Sequence, residues 1–303
     1  MDETVKVACV QAEAVIFDRA ATIEKIETLA AEVTGNGARL ALFPEAFIPA
    51  YPSNRWARFL AGWDDAQDAR EVFARLARES ITVPGPDSDR LAEIARANDI
   101  WLAVGANELE RGTIYNALLV YSPQGELVLH HRKLMPTNHE RLVWGLGDGA
   151  GLEAIATDVG RVGGLICWEN LMPLARFALY ESGVEVYLAP TADDSEDWHH
   201  SIRHIAREAR AFVLSSCVYQ RASSYPDDVP LAEGDELLGR GGSAILAPDG
   251  TYLAGPLWDE EGILYADLDP LRLHSSRQRF DPAGHYHRPD VFEFGLARNR
   301  AAG

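Results

Sequence analysis

Short apolar runs alternate with stretches of helical period along this chain. Val5-Lys6-Val7-Ala8-Cys9-Val10 predicts a first buried strand. Asp18 then has the place of an N-cap. Ile23, Ile26, Ala30 and Val33 recur at helical spacing, and Gly35-Asn36-Gly37 stops the helix. Arg39 to Phe43 is a second short strand that ends at Pro44-Glu45. Residues 65–79 and 87–97 read as helices parted by Pro84-Gly85-Pro86. Ile100 to Gly105 reads as a strand, and 114–121 with 126–131 as a hairpin around Ser122-Pro123-Gln124-Gly125. A polar, Gly-rich loop is expected over 134–151.

The second half repeats the alternation. Val162 to Ile166 is a strand leading into Cys167, with a helix over 172–182 and a strand from Glu185 to Ala189. Trp198, Ile202, Ile205, Ala206 and Ala209 mark another helix, followed by one strand from Phe212 to Tyr219. A long loop is expected over 221–240, then closing strands at 243–246 and 263–268 and an irregular tail from 280. This predicts an α/β chain whose helices cover the outside of sheets. No low-complexity linker divides it, so residues 1–280 are expected to form one domain, with 281–303 as a tail.

Composition narrows the setting. The formal net charge of -18 disfavours nucleic acid and acidic membranes as partners. No stretch approaches the roughly 18 consecutive apolar residues of a spanning helix. Met1-Asp2-Glu3 is acidic and leads straight into a strand, unlike a signal peptide. The three cysteines, Cys9, Cys167 and Cys217, suit a reducing compartment better than a disulfide framework, so the cytoplasm is expected. Only three of the 28 basic residues are lysines, and one of them, Lys133, directly follows Arg132. That choice suits a place needing a compact ammonium.

Three positions carry candidate chemistry. In Gly163-Gly164-Leu165-Ile166-Cys167-Trp168-Glu169-Asn170 a buried strand runs into a cysteine. Such a turn would project the sulfur from the sheet end, near backbone N–H groups that stabilise negative charge. The plain alternative is a packed structural thiol, which is the preferred reading for Cys9 and Cys217 in their apolar runs. Glu45 closes a buried strand among apolar neighbours, where desolvation would raise its pKa and fit it for proton transfer. It could equally be a strand-end carboxylate facing water. Lys133 leaves a hairpin strand as a fixed cation or, alone, as an ordinary solvated lysine. All three follow strands, where α/β sites gather, and together they supply nucleophile, base and electrostatic partner.

With these motifs the chain resembles the nitrilase superfamily, in the family's order of Glu, Lys, Cys. The resemblance is carried by Phe43-Pro44-Glu45-Ala46-Phe47-Ile48-Pro49, Arg132-Lys133-Leu134-Met135-Pro136-Thr137 and Cys167-Trp168-Glu169-Asn170. Glu140-Arg141 and Trp144-Gly145-Leu146-Gly147-Asp148-Gly149 resemble the loop that carries a second glutamate. The likeness runs on through Ala189-Pro190-Thr191-Ala192, Arg203-His204-Ile205-Ala206 and Asp281-Pro282-Ala283-Gly284-His285-Tyr286. Cys-Trp-Glu-Asn looks like the true nitrilase branch, whereas amidase branches more often show Cys-Tyr-Asp.

The resemblance implies a four-layer αββα sandwich that hydrolyses a small-molecule nitrile to the carboxylic acid and ammonia, with no cofactor and no metal. Glu45 would take the proton of Cys167, the thiolate would form a thioimidate and then a thioester, and Glu45-activated water would release the acid. Lys133 and the Trp168 N–H would stabilise developing negative charge, while Glu140 orients Lys133 or the water. Tyr51, Trp56, Trp144, Trp168 and Thr191 are the candidate substrate pocket, with core packing as their alternative. A homodimer or larger homo-oligomer is implied, with the helix after Cys167 and the tail as interface segments. The C-terminal extension of long nitrilases is missing, which speaks against filament-like assembly.

An amidase or carbamoylase of the same superfamily uses the same thiol chemistry, so these residues do not separate them. A silent binding protein on this fold is disfavoured by the complete set of Glu45, Lys133, Glu140 and Cys167. His200 and His204 have a zinc-like i, i+4 spacing, but the glutamate of the metalloprotease motif is missing. His285 and His287 lie in the tail without a partner motif. Gly239-Arg240-Gly241-Gly242 lacks the following Lys-Ser or Lys-Thr of a phosphate loop and reads as a turn before a strand.

Overall fold

The computed structural model describes residues 1–52, 67–227, 229 and 237–297. The first half runs β1 (Val5–Gln11), α1 (Arg19–Gly35), β2 (Leu40–Leu42), α2 (Gln67–Glu79), α3 (Pro86–Ala97), β3 (Trp101–Glu110), β4 (Thr113–Tyr121) and β5 (Leu127–Arg132). The second half continues with β6 (Ile155–Thr157), β7 (Gly160–Gly164), α4 (Pro173–Glu181), β8 (Val186–Leu188), α5 (Glu196–Ala209) and β9 (Phe212–Ser215). It closes with β10 (Tyr219–Arg221), β11 (Leu237–Leu246), β12 (Tyr252–Trp258), β13 (Gly262–Leu268) and α6 (Pro270–Arg277).

These strands form two mixed sheets. The first has the order β13-β1-β2-β3-β4-β5, the second β10-β11-β9-β8-β7-β6 with β12 added on β11. In each, three central strands are parallel: β1-β2-β3 in one, β7-β8-β9 in the other. Alternating side chains sort the apolar residues into three seams. Val7 and Cys9 of β1 meet Val186 and Leu188 of β8 between the sheets. Ala8 and Val10 face Ile23, Ile26, Leu91 and Ile94 of the helices on one outer face. Tyr187 and Val213 face Leu179, Trp198, Ile202 and Ile205 on the other. The result is the expected four-layer αββα sandwich.

Topology decides where chemistry can gather. β2 and β3 run parallel, and β5 lies two antiparallel steps beyond β3 and so points the same way. Glu45 after β2 and Lys133 after β5 therefore leave the sheet at one edge. β7 and β8 likewise carry Cys167 and Thr191 at their shared C-terminal edge. Gly105 of β3 permits a close crossing there. A Cβ at this position would overlap the Pro44 carbonyl oxygen and the Ala46 nitrogen, on either side of Glu45.

Several elements depart from the expectations. The predicted single strand over 212–219 is two, because the chain leaves the ladder at Ser216 and Cys217. There the Ser216 hydroxyl donates to the Val10 carbonyl and the Cys217 N–H to Ser243 Oγ. Gly239-Arg240-Gly241-Gly242 lies inside β11 and is no preceding turn. Gly241 and Gly242 take φ of 82° and 105°, bulging the strand where Gln11 and Trp258 crowd it. β6 and β12 have no counterpart in the reading: one is three residues long, and the other carries Gly255-Pro256 inside it. The expected loop over 134–151 contains a 3-10 turn, Asn138–Leu142. The tail folds back, with Phe294 stacking edge-on against Phe177 of α4 at 5.0 Å.

Gly105→Ala is expected to destabilise the protein by about 1–3 kcal/mol through overpacking, read as a lower urea midpoint. An unchanged midpoint would contradict this close crossing.

Candidate active site

Glu45 is fully buried just past β2. Its Oε1 accepts hydrogen bonds from Asn116 Nδ2 at 2.7 Å and Lys133 Nζ at 2.8 Å, and its Oε2 from the Ala192 N–H at 2.7 Å. Burial raises its pKa, Lys133 opposes this, and the nearby Glu140 charge adds to the rise, leaving it at about 6. The Ala192 contact joins the edges of the two sheets, since that residue follows β8 in the second.

Lys133 follows β5, where its N–H donates to the Asn116 carbonyl at 2.8 Å. Its ammonium is buried and divided between Glu45 and Glu140, with a 2.6 Å bond to Glu140 Oε2. Burial alone would lower its pKa, but Glu45, Cys167 and Glu140 reverse that and hold it charged. Glu140 sits in the 3-10 turn and is itself pinned. It accepts from the Tyr51 hydroxyl and from the Thr137 N–H, each at 2.6 Å.

Cys167 begins a 3-10 turn, Cys167–Leu171, directly after the β7 strand end. Its φ is 52° and its N–H donates to the Pro190 carbonyl at 2.9 Å, which fixes a sharp bend. The Thr191 hydroxyl donates to Sγ at 3.2 Å. The pKa of the thiol is raised in the resting site. Burial first, then the Glu45 charge, push it well above the ordinary value, and Lys133 only partly offsets them.

Beneath the sulfur lies a clamp. The buried Glu169 carboxylate accepts from the N–H groups of Ile166 and Leu134, at 2.8 and 2.6 Å, and contacts His131 Nε2 at 3.0 Å. One side chain thus ties the Cys167 turn to the residue after Lys133. Burial would raise the Glu169 pKa, but His131 and these N–H groups bring it below the ordinary value. Asn170 adds bonds to the Leu165 and Cys167 carbonyls.

A cavity of about 260 Å³ opens onto the sulfur, lined by Tyr51, Thr137–Glu140, Cys167, Trp168 and Ala192–Asp194. The four candidates Glu45, Lys133, Glu140 and Cys167 come together here from four separate segments. Of the pocket candidates, Tyr51 and Trp168 line the cavity, and the Trp168 indole is 48% exposed with its N–H on Asp193. Trp144 lies behind it, buried, 5.5 Å from the Lys133 ammonium and donating to Asn107. Thr191 is buried against the sulfur, and Trp56 lies outside the described residues. Asn116, Glu169, His131 and the Ala192 N–H were not singled out. Their legible signals were a polar Asn116 within the apolar Ile114–Tyr121 stretch and the place of Glu169 and Ala192 in the quoted motifs.

The His200–His204 pair and His287 lie elsewhere. His200 and His204 are 75% and 64% exposed, near Asp197 and Glu208 respectively. His287 packs edge-on against Phe177.

Comparison with known proteins follows this geometry. A family described as carbon-nitrogen hydrolase matches residues 6–278. The chain belongs to the carbon-nitrogen hydrolase family. Within it, the chain is 44% identical to "Nitrilase 1" of Arabidopsis thaliana, covering 95% of this chain and 85% of that one. It is 43% identical to an "aliphatic nitrilase" of Sinorhizobium fredii, over 95% and 94% of the two. Among solved structures, a carbon-nitrogen hydrolase from Helicobacter pylori shares the fold with a TM-score of 0.74 at 20% identity, covering 96% of this chain and 97% of that one.

Glu169→Ala would leave two buried N–H groups and His131 unpaired. It is expected to cost about 3–5 kcal/mol in urea unfolding. A loss below about 1 kcal/mol would show that the clamp carries little of the site's stability.

Proposed function

We propose that this chain is a nitrilase, converting an organic nitrile to the carboxylic acid and ammonia through Cys167. The observation that carries the proposal is a buried thiol beside one ammonium shared by two buried carboxylates, in a chain whose curated relatives are nitrilases.

Each group has a distinct part. Glu45 is the general base. Its Oε1 is occupied by Lys133 and Asn116, whereas Oε2 accepts one N–H and keeps a lone pair for the thiol proton. A pKa of about 6 leaves it ionised at neutral pH yet basic enough to act. As the S–H proton passes to Glu45, sulfur adds to the nitrile carbon, and Glu45 hands that proton on to the nitrogen, giving a thioimidate. Water adds with Glu45 again as base, ammonia departs and a thioester remains. A second water releases the acid and returns the electrons of the C–S bond to sulfur.

Lys133 cannot serve as the base, because its neighbours keep it protonated; it stabilises negative charge on the substrate's nitrogen or oxygen. Glu140 fixes the ammonium, and the Trp168 backbone N–H is the second donor. Tyr51 and Trp168 contact the substrate from the cavity wall.

The compartment and assembly belong to the same proposal. Three free, buried thiols suit the cytoplasm. Leu171, Met172 and Leu174 expose apolar surface at the start of α4, and Leu174 is 71% exposed. With the tail, they are the surface on which we expect a second copy to pack.

Cys167→Ala should abolish ammonia release from phenylacetonitrile and benzonitrile while leaving the urea midpoint near that of the wild type. Residual turnover would exclude the thiol mechanism, and release from the matching amides alone would make the protein an amidase. The acid limb of kcat/KM should fall near pH 6, since activity needs ionised Glu45 and is lost as pH drops through its pKa. A profile flat down to pH 4.5 would rule out Glu45 as the base. Sedimentation at micromolar concentration should give a dimer or larger, and a monomer would remove the proposed interface.

A further inference from the structure

Thr191 has no part in the chemistry assigned so far. It follows β8, is fully buried, and its hydroxyl is the nearest polar group donating to the nucleophile, with Oγ1 3.2 Å from Cys167 Sγ. Three bonds fix its geometry. The Thr191 N–H donates to the Ser216 carbonyl at 3.0 Å, and the Thr191 carbonyl accepts from the Val218 N–H at 2.9 Å, so the backbone is held from both sides. The Asp193 N–H donates to Oγ1 at 2.9 Å.

That last bond sets the direction of the hydroxyl proton. A hydroxyl has one hydrogen and two lone pairs. With one lone pair taken by Asp193, the hydrogen is free for the sulfur, and the rotamer that places it there is held by the backbone. The donor is oriented before any charge appears, which is the condition under which a fixed dipole lowers a barrier.

We propose that Thr191 is a catalytic residue of this thiol, donating its hydroxyl hydrogen to the sulfur as negative charge develops there. The proposal rests on the nitrilase reading for its place in the reaction, but the contact itself does not depend on the substrate. Charge reaches sulfur twice. In the first step the S–H bond breaks, its proton goes to Glu45 and the electron pair forms the C–S bond. In the last step the C–S bond breaks, the pair returns to sulfur, and Glu45 delivers to it the proton taken from the second water. Thr191 neither gains nor loses a proton in either step. It lowers the cost of a thiolate that burial and Glu45 otherwise oppose.

The test compares the wild type with Thr191→Val, which keeps the shape and removes the donor, and Thr191→Ser, which keeps the donor. Iodoacetamide alkylation of Cys167 is followed by mass spectrometry at fixed pH, and kcat/KM is measured with phenylacetonitrile. T191V should alkylate about 10- to 100-fold more slowly, the range for a hydrogen bond to a charged group, and lose a similar factor in kcat/KM. T191S should stay within about 3-fold of the wild type in both, because it keeps the donor. Should T191V not fold, T191A, also lacking the hydroxyl, takes its place. A folded T191V that alkylates at the wild-type rate overturns the proposal, as does T191S as slow as T191V. Slower alkylation of T191V with no nitrile turnover by the wild type would uphold the sulfur contact and reject the nitrilase reading instead.

Discussion

One ammonium held between two buried carboxylates is the constraint on which this structure depends. Lys133 Nζ lies 2.8 Å from Glu45 and 2.6 Å from Glu140, and all three side chains are out of contact with water. Two negative charges and one positive charge in a low-dielectric interior survive only as a set, because an unpaired buried ion costs several kcal/mol. Their secondary bonds follow from this need. Asn116 and the Ala192 N–H satisfy Glu45, and Tyr51 and the Thr137 N–H satisfy Glu140. The segments carrying Glu45, Asn116, Lys133, Glu140 and Ala192 are therefore fixed relative to one another around a single cation.

The two carboxylates are chemically similar but differently placed. Glu140 accepts the ammonium, a phenol and a backbone N–H, and these bonds fix it in position. Glu45 is raised to about 6, and its charge acts on the Cys167 thiol. Cys167 is pushed the opposite way from an activated thiolate. A thiol kept neutral at rest is also less open to adventitious alkylation and oxidation, since the thiolate is the reactive form.

The second sheet supplies the proposed nucleophile by a separate device. The bend at Cys167 needs a positive φ, which costs a non-glycine residue energy that its surroundings must supply. Bonds from Pro190, Asn170 and Glu169 meet that cost. Glu169 reaches the Leu134 N–H as well, so it ties the turn carrying the sulfur to the segment carrying the ammonium. The inter-sheet seam of Val7, Cys9, Val186 and Leu188 holds the two edges together behind the site.

The sequence by itself determined the class of fold and most of its elements, and it pointed to the three residues proposed to carry the chemistry. Buried strands of a layered α/β protein are continuous apolar runs, and Glu45, Lys133 and Cys167 each stand where such a run ends. Their motifs are local, and local pattern is what a sequence displays. Only the tertiary structure decided how they meet. Asn116 looks like any polar residue in a strand until β4 brings it against Glu45, and Thr191 reads as pocket lining until β8 sets its hydroxyl on the sulfur. The break at Ser216 and the bulge at Gly241 arise from Val10, Ser243 and Gln11, residues distant in the chain. Hydrogen bonds and pKa values depend on separations of a few ångströms between such segments, and no window of sequence contains those separations.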